Sequence, residues 1–205
     1  YTGLLMAMQR FFPSRGLDYI FATHADPDII ASMNKWMVAT HCKVMISRLW
    51  TRFIPHFTTG KDYTARIVGI PDEGMNILLG ENKIKAVPAH FMHSEGNFQF
   101  YDPVSKILFS GDMGASLVDH VQAAEPVRNF DDHVVTMLGF HRRYMISNKI
   151  CRFWVNMVRQ MDVEMIVPQH GCRFEGKVMV NRFLDWIEQL PCGVDVMTQD
   201  SYRVP

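Results

Sequence analysis

Apolar residues recur with a helical period towards both ends of the chain and with a period of two through its middle, and this change of rhythm predicts the elements. Over residues 3–12, Leu4, Leu5, Met8, Phe11 and Phe12 share one helical face, and Pro13 and Gly16 stop the helix. Residues 17–22 are a short apolar run, read as a buried strand. Residues 29–38 return to helical spacing, with Asp26 or Asp28 placed where a carboxylate meets the free amides of a helix start. Residues 43–47 read as a second strand and 48–57 as a short helix bearing Trp50, Phe53 and Ile54, cut by Pro55.

From Tyr63 to Ser110 the pattern is that of strands: 65–70, 75–79, 83–87, 97–101 and 106–110, separated by turn residues such as Pro71, Asp72, Gly74, Gly80 and Pro103. This predicts an antiparallel block. Beyond Asp112 helices are expected over 129–137, 144–161 and 177–190, with one more strand at 163–167. Helices, a strand meander, then helices around a strand predict a layered α/β sandwich. Without an internal repeat, low-complexity tract or linker, residues 1–205 are expected to form a single domain.

Composition narrows the function classes. A chain of 205 residues, 48% of them hydrophobic, buries enough surface for one sizeable core. Its 21 basic and 21 acidic residues balance without a basic run, which argues against nucleic acid or an anionic membrane surface as partner. No apolar stretch approaches the roughly 18 residues of a spanning helix, and no signal-peptide pattern opens the sequence, so a cytoplasmic protein is expected. Cys42, Cys151, Cys172 and Cys192 form no C-x-x-C pair and read as buried or idle thiols, and the 15 methionines read as core filler. Function must therefore come from a site.

The chemistry gathers at strand ends. Thr23, His24, Ala25, Asp26, Pro27 and Asp28 follow the first apolar run, and alternate side chains of an extended loop share a face, so one imidazole and two carboxylates can turn towards one point. Between two later strands, His90 and His93 sit in the turn A-H-F-M-H-S-E-G, with His93 the better candidate because Ser94 and then Gly96 follow it. F-S-G-D-M-G puts Asp112 just past an apolar strand, and P-Q-H-G puts His170 past another. Singly, each residue has a plainer use: Asp26 and Asp28 as helix caps, Asp112 as a turn former, His93 and His170 as surface loop residues.

Taken together, T-H-x-D-x-D, H-S-x-G, F-S-G-D and P-Q-H-G resemble, in order and spacing, the metallo-β-lactamase fold, and more narrowly the diiron domain of flavodiiron proteins and the flavin-less oxygen-binding diiron proteins related to them. The resemblance implies an αββα sandwich whose first N-terminal strands are missing from this sequence. It assigns His24, Asp26 and His93 to one iron, Asp28 and His170 to the other, and Asp112 as the bridge. Where the fold usually carries a histidine after the second aspartate, Ile29 stands here and cannot ligate.

Zinc hydrolases of the fold carry nitrogen where Asp26 stands. Three carboxylates are harder ligands that favour iron, or manganese, although the Irving–Williams order lets zinc occupy such a site by mis-metallation. The expected function is to bind O2 or NO at two irons, and to sense it or reduce it as an oxidoreductase. Only 35 residues follow His170, without the Gly/Ser/Thr-rich phosphate loop of a flavodoxin, so no FMN is expected and electrons would come from an external donor or the signal pass to a partner. A homodimer is the expected assembly, and a dinuclear zinc hydrolase is the alternative function.

Overall fold

The computed structural model describes residues 1–12, 16–56, 58 and 63–205; Pro13 and Phe57, the expected stop of the first helix and end of the fifth element, lie outside them. Contacts divide the chain into two units, Tyr1–Met75 and Asn76–Pro205.

The first unit opens with helix α1 (Thr2–Met8) and strand β1 (Tyr19–Phe21), followed by the short helices α2 (Pro27–Ile30) and α3 (Met33–Ala39) and strand β2 (Lys43–Ser47). A 3₁₀ helix (Arg48–His56) then leads towards strand β3 (Ile67–Ile70). All three strands pair in parallel, with Tyr19 opposite Lys43 and Met45 opposite Val68. The expectation that residues 65–70 belong to the antiparallel block is therefore corrected: they return to β2 by a crossover, which alternation within one strand cannot reveal. The central strand β2 is buried over Val44, Met45, Ile46 and Ser47, as a strand covered on both faces must be.

The helix expected over 29–38 is two helices broken at Ala31 and Ser32. Pro27 sets the start of α2, its fixed φ suiting the first helical position. Ile30, Met33 and Met37 continue one buried face across the break, so the hydrophobic period carries no trace of it. The Arg66 guanidinium donates to the Met37 and Thr40 carbonyls and so satisfies the end of α3.

The second unit is a six-stranded sheet in sequential order: β4 (Met75–Leu79), β5 (Asn82–Pro88), β6 (Phe98–Asp102), β7 (Ile107–Gly111), β8 (Met165–Pro168) and β9 (Phe174–Glu175). Strands β5, β6 and β7 are antiparallel, as the period-two pattern predicts, while β8 joins β7 in parallel after a helical excursion. The helices are α4 (His120–Ala123), α5 (Phe130–Tyr144), α6 (Asn148–Val158) and α7 (Lys177–Gln189). Trp154 and Val158 of α6, and Phe183 and Ile187 of α7, are buried with Leu108, Ile166 and Phe174 of the sheet. Each such side chain contributes roughly 1.5–3 kcal/mol.

Helix α5 runs seven residues past its expected end, and α6 begins four residues after its expected start. The break at Met145, Ile146 and Ser147 has a tertiary cause: Ile146 donates its amide to Phe91 O and accepts from Val194 N, so this backbone is spent on long-range bonds. Among the described residues no helix is long and apolar enough to cross a membrane.

Candidate metal centre

Each unit presents part of the expected ligand set. In the first, β1 ends at Phe21 and buries Ala22, Thr23 and His24; His24 has no exposed surface. Its Nδ1 lies 2.9 Å from Thr23 Oγ1, and its Nε2 lies 3.7 Å from Asp26 Oδ2. When Nδ1–H donates to the threonine oxygen, Nε2 keeps its lone pair on the Asp26 side, the state a metal ligand needs. Asp26 occupies the N-cap position of α2, yet its carboxylate does not accept from the helix amides, which removes the plainer role of a cap. Asp28 is exposed in the first turn of α2, and Ile29 is half-buried against the apolar core of this unit.

In the second unit the structure brings three expected residues together. Asp112 is 5% exposed, its Oδ2 3.0 Å from His93 Nε2 and its Oδ1 3.8 Å from His170 Nε2. One carboxylate thus lies between two imidazoles and offers one oxygen to each, while its backbone belongs to the turn that follows β7. His90 packs its ring against Phe98 instead, and Glu95 is exposed.

The loops that carry these side chains are tied to the sheet. Asn97 donates its amide to Met92 O, and Phe91 N bonds Ser94 O at 2.7 Å, which closes the turn around His93. A bulge between Phe109 and Gly111 ends β7 just before Asp112. Trp154 Nε1 donates to Gln99 Oε1 and Gln99 Nε2 to Ser110 O, at 2.9 and 3.0 Å, so α6 holds the strand end from behind. The Asp112 and His170 loops are stitched by Gln169 N to Gly111 O and Ser116 N to His170 O.

Gly171 is required by that stitching. Its φ is +90°, and a Cβ there would lie 1.9 Å from Ser116 Oγ. Gly171→Ala is expected to cost about 1–3 kcal/mol in stability and to displace His170. Gly139→Ala, at an open helical position of α5, is expected to be neutral or stabilising by up to about 1 kcal/mol. Denaturant unfolding of both variants checks the contrast.

Sequence reasoning places His141 as a solvated or core-edge residue, and the structure corrects this: it has no exposed surface. Its Nε2 accepts from Gly114 N at 2.9 Å, and a backbone amide can donate only to a lone pair, so the proton sits on Nδ1 and is donated to Met137 O at 2.9 Å. His141 thereby fixes the turn two residues beyond Asp112. Its separation from that turn, 27 residues, left no local signal to read.

Burial holds His141 down at about 4 against an ordinary 6.5, opposed by its bond to Met137 and by the charge of Asp112. A depressed pKa means the unfolded chain binds more protons in between, so this contribution is complete above pH 6.5 and lost as pH falls towards 4. It amounts to about 3 kcal/mol. Denaturant titrations of the metal-free chain across that window are expected to show this loss, and His141→Gln to remove it.

Comparison with known proteins follows from this geometry. The family model described as ODP family beta lactamase matches residues 1–171. A solved structure titled peroxy diiron species of chemotaxis sensor ODP is 42% identical, covers 95% of this chain and 80% of its own, and superposes with a TM-score of 0.87. The apo state of chemotaxis sensor ODP from T. denticola is 41% identical over 98% of this chain and 80% of that one, with a TM-score of 0.89. Rubredoxin oxygen:oxidoreductase from Desulfovibrio gigas is 16% identical over 91% of this chain and 47% of that one, with a TM-score of 0.80, a likeness of fold alone. Among curated proteins, uncharacterized protein MJ0732 of Methanocaldococcus jannaschii is 21% identical over 194 residues; the chain spans 47% of that relative's length. The resemblance read from the four strand-end motifs holds for the family and for the α/β, metallo-β-lactamase-like fold.

Proposed function

This chain belongs to the ODP family of beta lactamases, and from that premise we propose that it is a non-haem diiron protein that binds O2 at a dinuclear site held by His24, Asp26, Asp28, His93, Asp112 and His170. The observation that carries the reading is the Asp112 carboxylate, buried with one oxygen towards His93 and the other towards His170. That donor set fits a pair of cations: a bridging carboxylate places negative charge between two positive ions. His24 and Asp26, 3.7 Å apart, supply nitrogen and hard oxygen donors of the kind ferrous iron accepts. A single domain over residues 1–205 is part of this proposal.

When bound, the two irons supply the electrons and open positions that O2 requires. The chain's own residues then bind and shield. Thr23 orients His24 through Nδ1, and Phe140 and Tyr144 set their rings 5.6 and 5.5 Å from that of His93, edge to face, which fixes the orientation of that imidazole. Ile29 adds no donor to the second metal. Oxygen binding is favoured over zinc hydrolysis by the carboxylate at Asp26 and by the 42% identity to a protein whose structure is titled a diiron species. In this proposal NO is the competing diatomic, electrons come from an external donor or the signal passes to a partner, and the assembly is a homodimer in the cytoplasm.

Reconstitution of the full chain with ferrous iron without air tests the reading. Two irons per chain, and a visible band that appears only on mixing with O2, are expected. A single iron, or no band together with lactam or thioester hydrolysis by the zinc form, overturns it.

A further inference from the structure

Among the four cysteines, Cys151 and Cys192 stand apart. Both are fully buried, both belong to the second unit, and their sulfurs approach to 3.8 Å across 41 residues of sequence. Cys151 is fixed on helix α6, whereas Cys192 sits in extended backbone beyond the end of α7. The contact is therefore between a rigid element and a turn that can adjust. Closing a bond of about 2.05 Å requires a movement of under about 2 Å, on the scale of a side-chain rotation.

We propose that Cys151 and Cys192 are a reversible dithiol–disulfide site, oxidised by hydrogen peroxide and restored by a dithiol reductant. The Cys192 thiolate attacks one peroxide oxygen, the O–O bond breaks and the first water leaves, giving a sulfenic acid. Cys151 sulfur then attacks the sulfenic sulfur, the S–O bond breaks, and a second water departs with the Cys151 proton. Two thiols and one peroxide thus become one disulfide and two waters.

Geometry supplies an access route and a direction of attack. Gly193 and Val194, next to Cys192, line a cleft of about 490 Å³ that also reaches His93, Arg143 and Tyr202; the sulfur itself is fully buried, so peroxide in the cleft reaches it through local opening of the 192–196 turn. Gly193 has a φ of +52°, and a Cβ there would strike the carbonyl oxygens of Met145 and Ile146, so only glycine lets this turn pack closely on the α5–α6 connection. The bond between the thiols brings the Cys192 thiol down and pushes the Cys151 thiol up, with burial adding to the rise at Cys151. Cys192, whose chain neighbours Gly193 and Val194 line the cleft, is the sulfur assigned to meet peroxide first, and Cys151 the resolving partner.

The same turn reaches the loop of His93. Val194 N bonds Ile146 O at 2.8 Å, Ile146 N bonds Phe91 O at 3.3 Å, and Phe91 N bonds Ser94 O at 2.7 Å. A disulfide that draws the 192–196 turn towards α6 tightens this ladder, so oxidation at the thiols stiffens the loop that carries His93.

The as-isolated full chain, treated with a few equivalents of hydrogen peroxide, alkylated and mapped without reduction, is expected to show a Cys151–Cys192 cross-link. The linked peptides should lack two hydrogens, and dithiothreitol should restore them. Cys151→Ser and Cys192→Ser should each abolish the link, and the parent map stands on its own if either variant fails to fold. Hydrogen exchange at the Val194 and Ile146 amides should slow about tenfold in the oxidised form. Oxygen added to either sulfur without a link, or a link that joins Cys42 or Cys172 instead, overturns the site. A link with unchanged exchange overturns its coupling to the His93 loop.

Discussion

Asp112→Ala is expected to empty the metal centre completely, from two irons per chain to none. Two divalent ions about 4 Å apart at an effective dielectric of about 20 repel by roughly 17 kcal/mol. The carboxylate between them offsets much of that, because each oxygen sits against one ion while its charge acts on both. The residues it meets cannot replace it: Asp112 faces the imidazoles of His93 and His170, which carry no negative charge. Removing it leaves both ions with fewer donors and no charge between them, so neither is retained.

His170→Ala should behave differently, sparing the iron held by His24, Asp26 and His93 while losing the other. Iron counts on anaerobically reconstituted protein, with circular dichroism to confirm the fold, separate the two outcomes. Retention of two irons by the Asp112 variant would remove the bridge from the proposed centre.

Ile29→His is expected to shorten the lifetime of the O2-dependent visible band at least tenfold, a change of about 1.4 kcal/mol in the barrier to its decay. Ile29 follows Asp28 directly and is half-buried against the apolar core of the first unit, so the residue next to this proposed ligand is apolar and offers no donor. A histidine there adds a nitrogen donor to an ion otherwise held by Asp28, His170 and the bridge. That donor competes for the open position and brings a proton carrier beside it. In the parent the band should persist for minutes, and Ile29→Val, which keeps the apolar border, should leave it so. Stopped-flow absorbance on the three proteins makes the comparison, and equal lifetimes would show that residue 29 does not govern the open position.

All six proposed ligands were visible in the sequence because each sits in a short motif where one apolar strand ends: His24 after the run closing at Ala22, Asp112 after Ser110 and Gly111, His170 after Pro168. Strand ends are encoded within a few residues, by burial on one side and by glycine or proline on the other. The meander from β5 to β7 was legible for the same reason, since short connections, residues 89–97 and 103–106, join antiparallel neighbours.

What the sequence left open depended on partners far along the chain. The breaks at Ala31 and Ser32 and at Met145 to Ser147 interrupt periods that continue through them, the second because Phe91 and Val194 claim the backbone of Ile146. The parallel return of β3 to β2 reads locally like one more hairpin strand. His141 was indistinguishable from any helix-borne histidine until Gly114 donated to it, and Cys151 and Cys192 were two isolated thiols until packing set them 3.8 Å apart. Periodicity reports which face of an element is buried; only the folded chain decides which distant group meets it there, because that choice is made by packing and by the need of every buried donor for an acceptor.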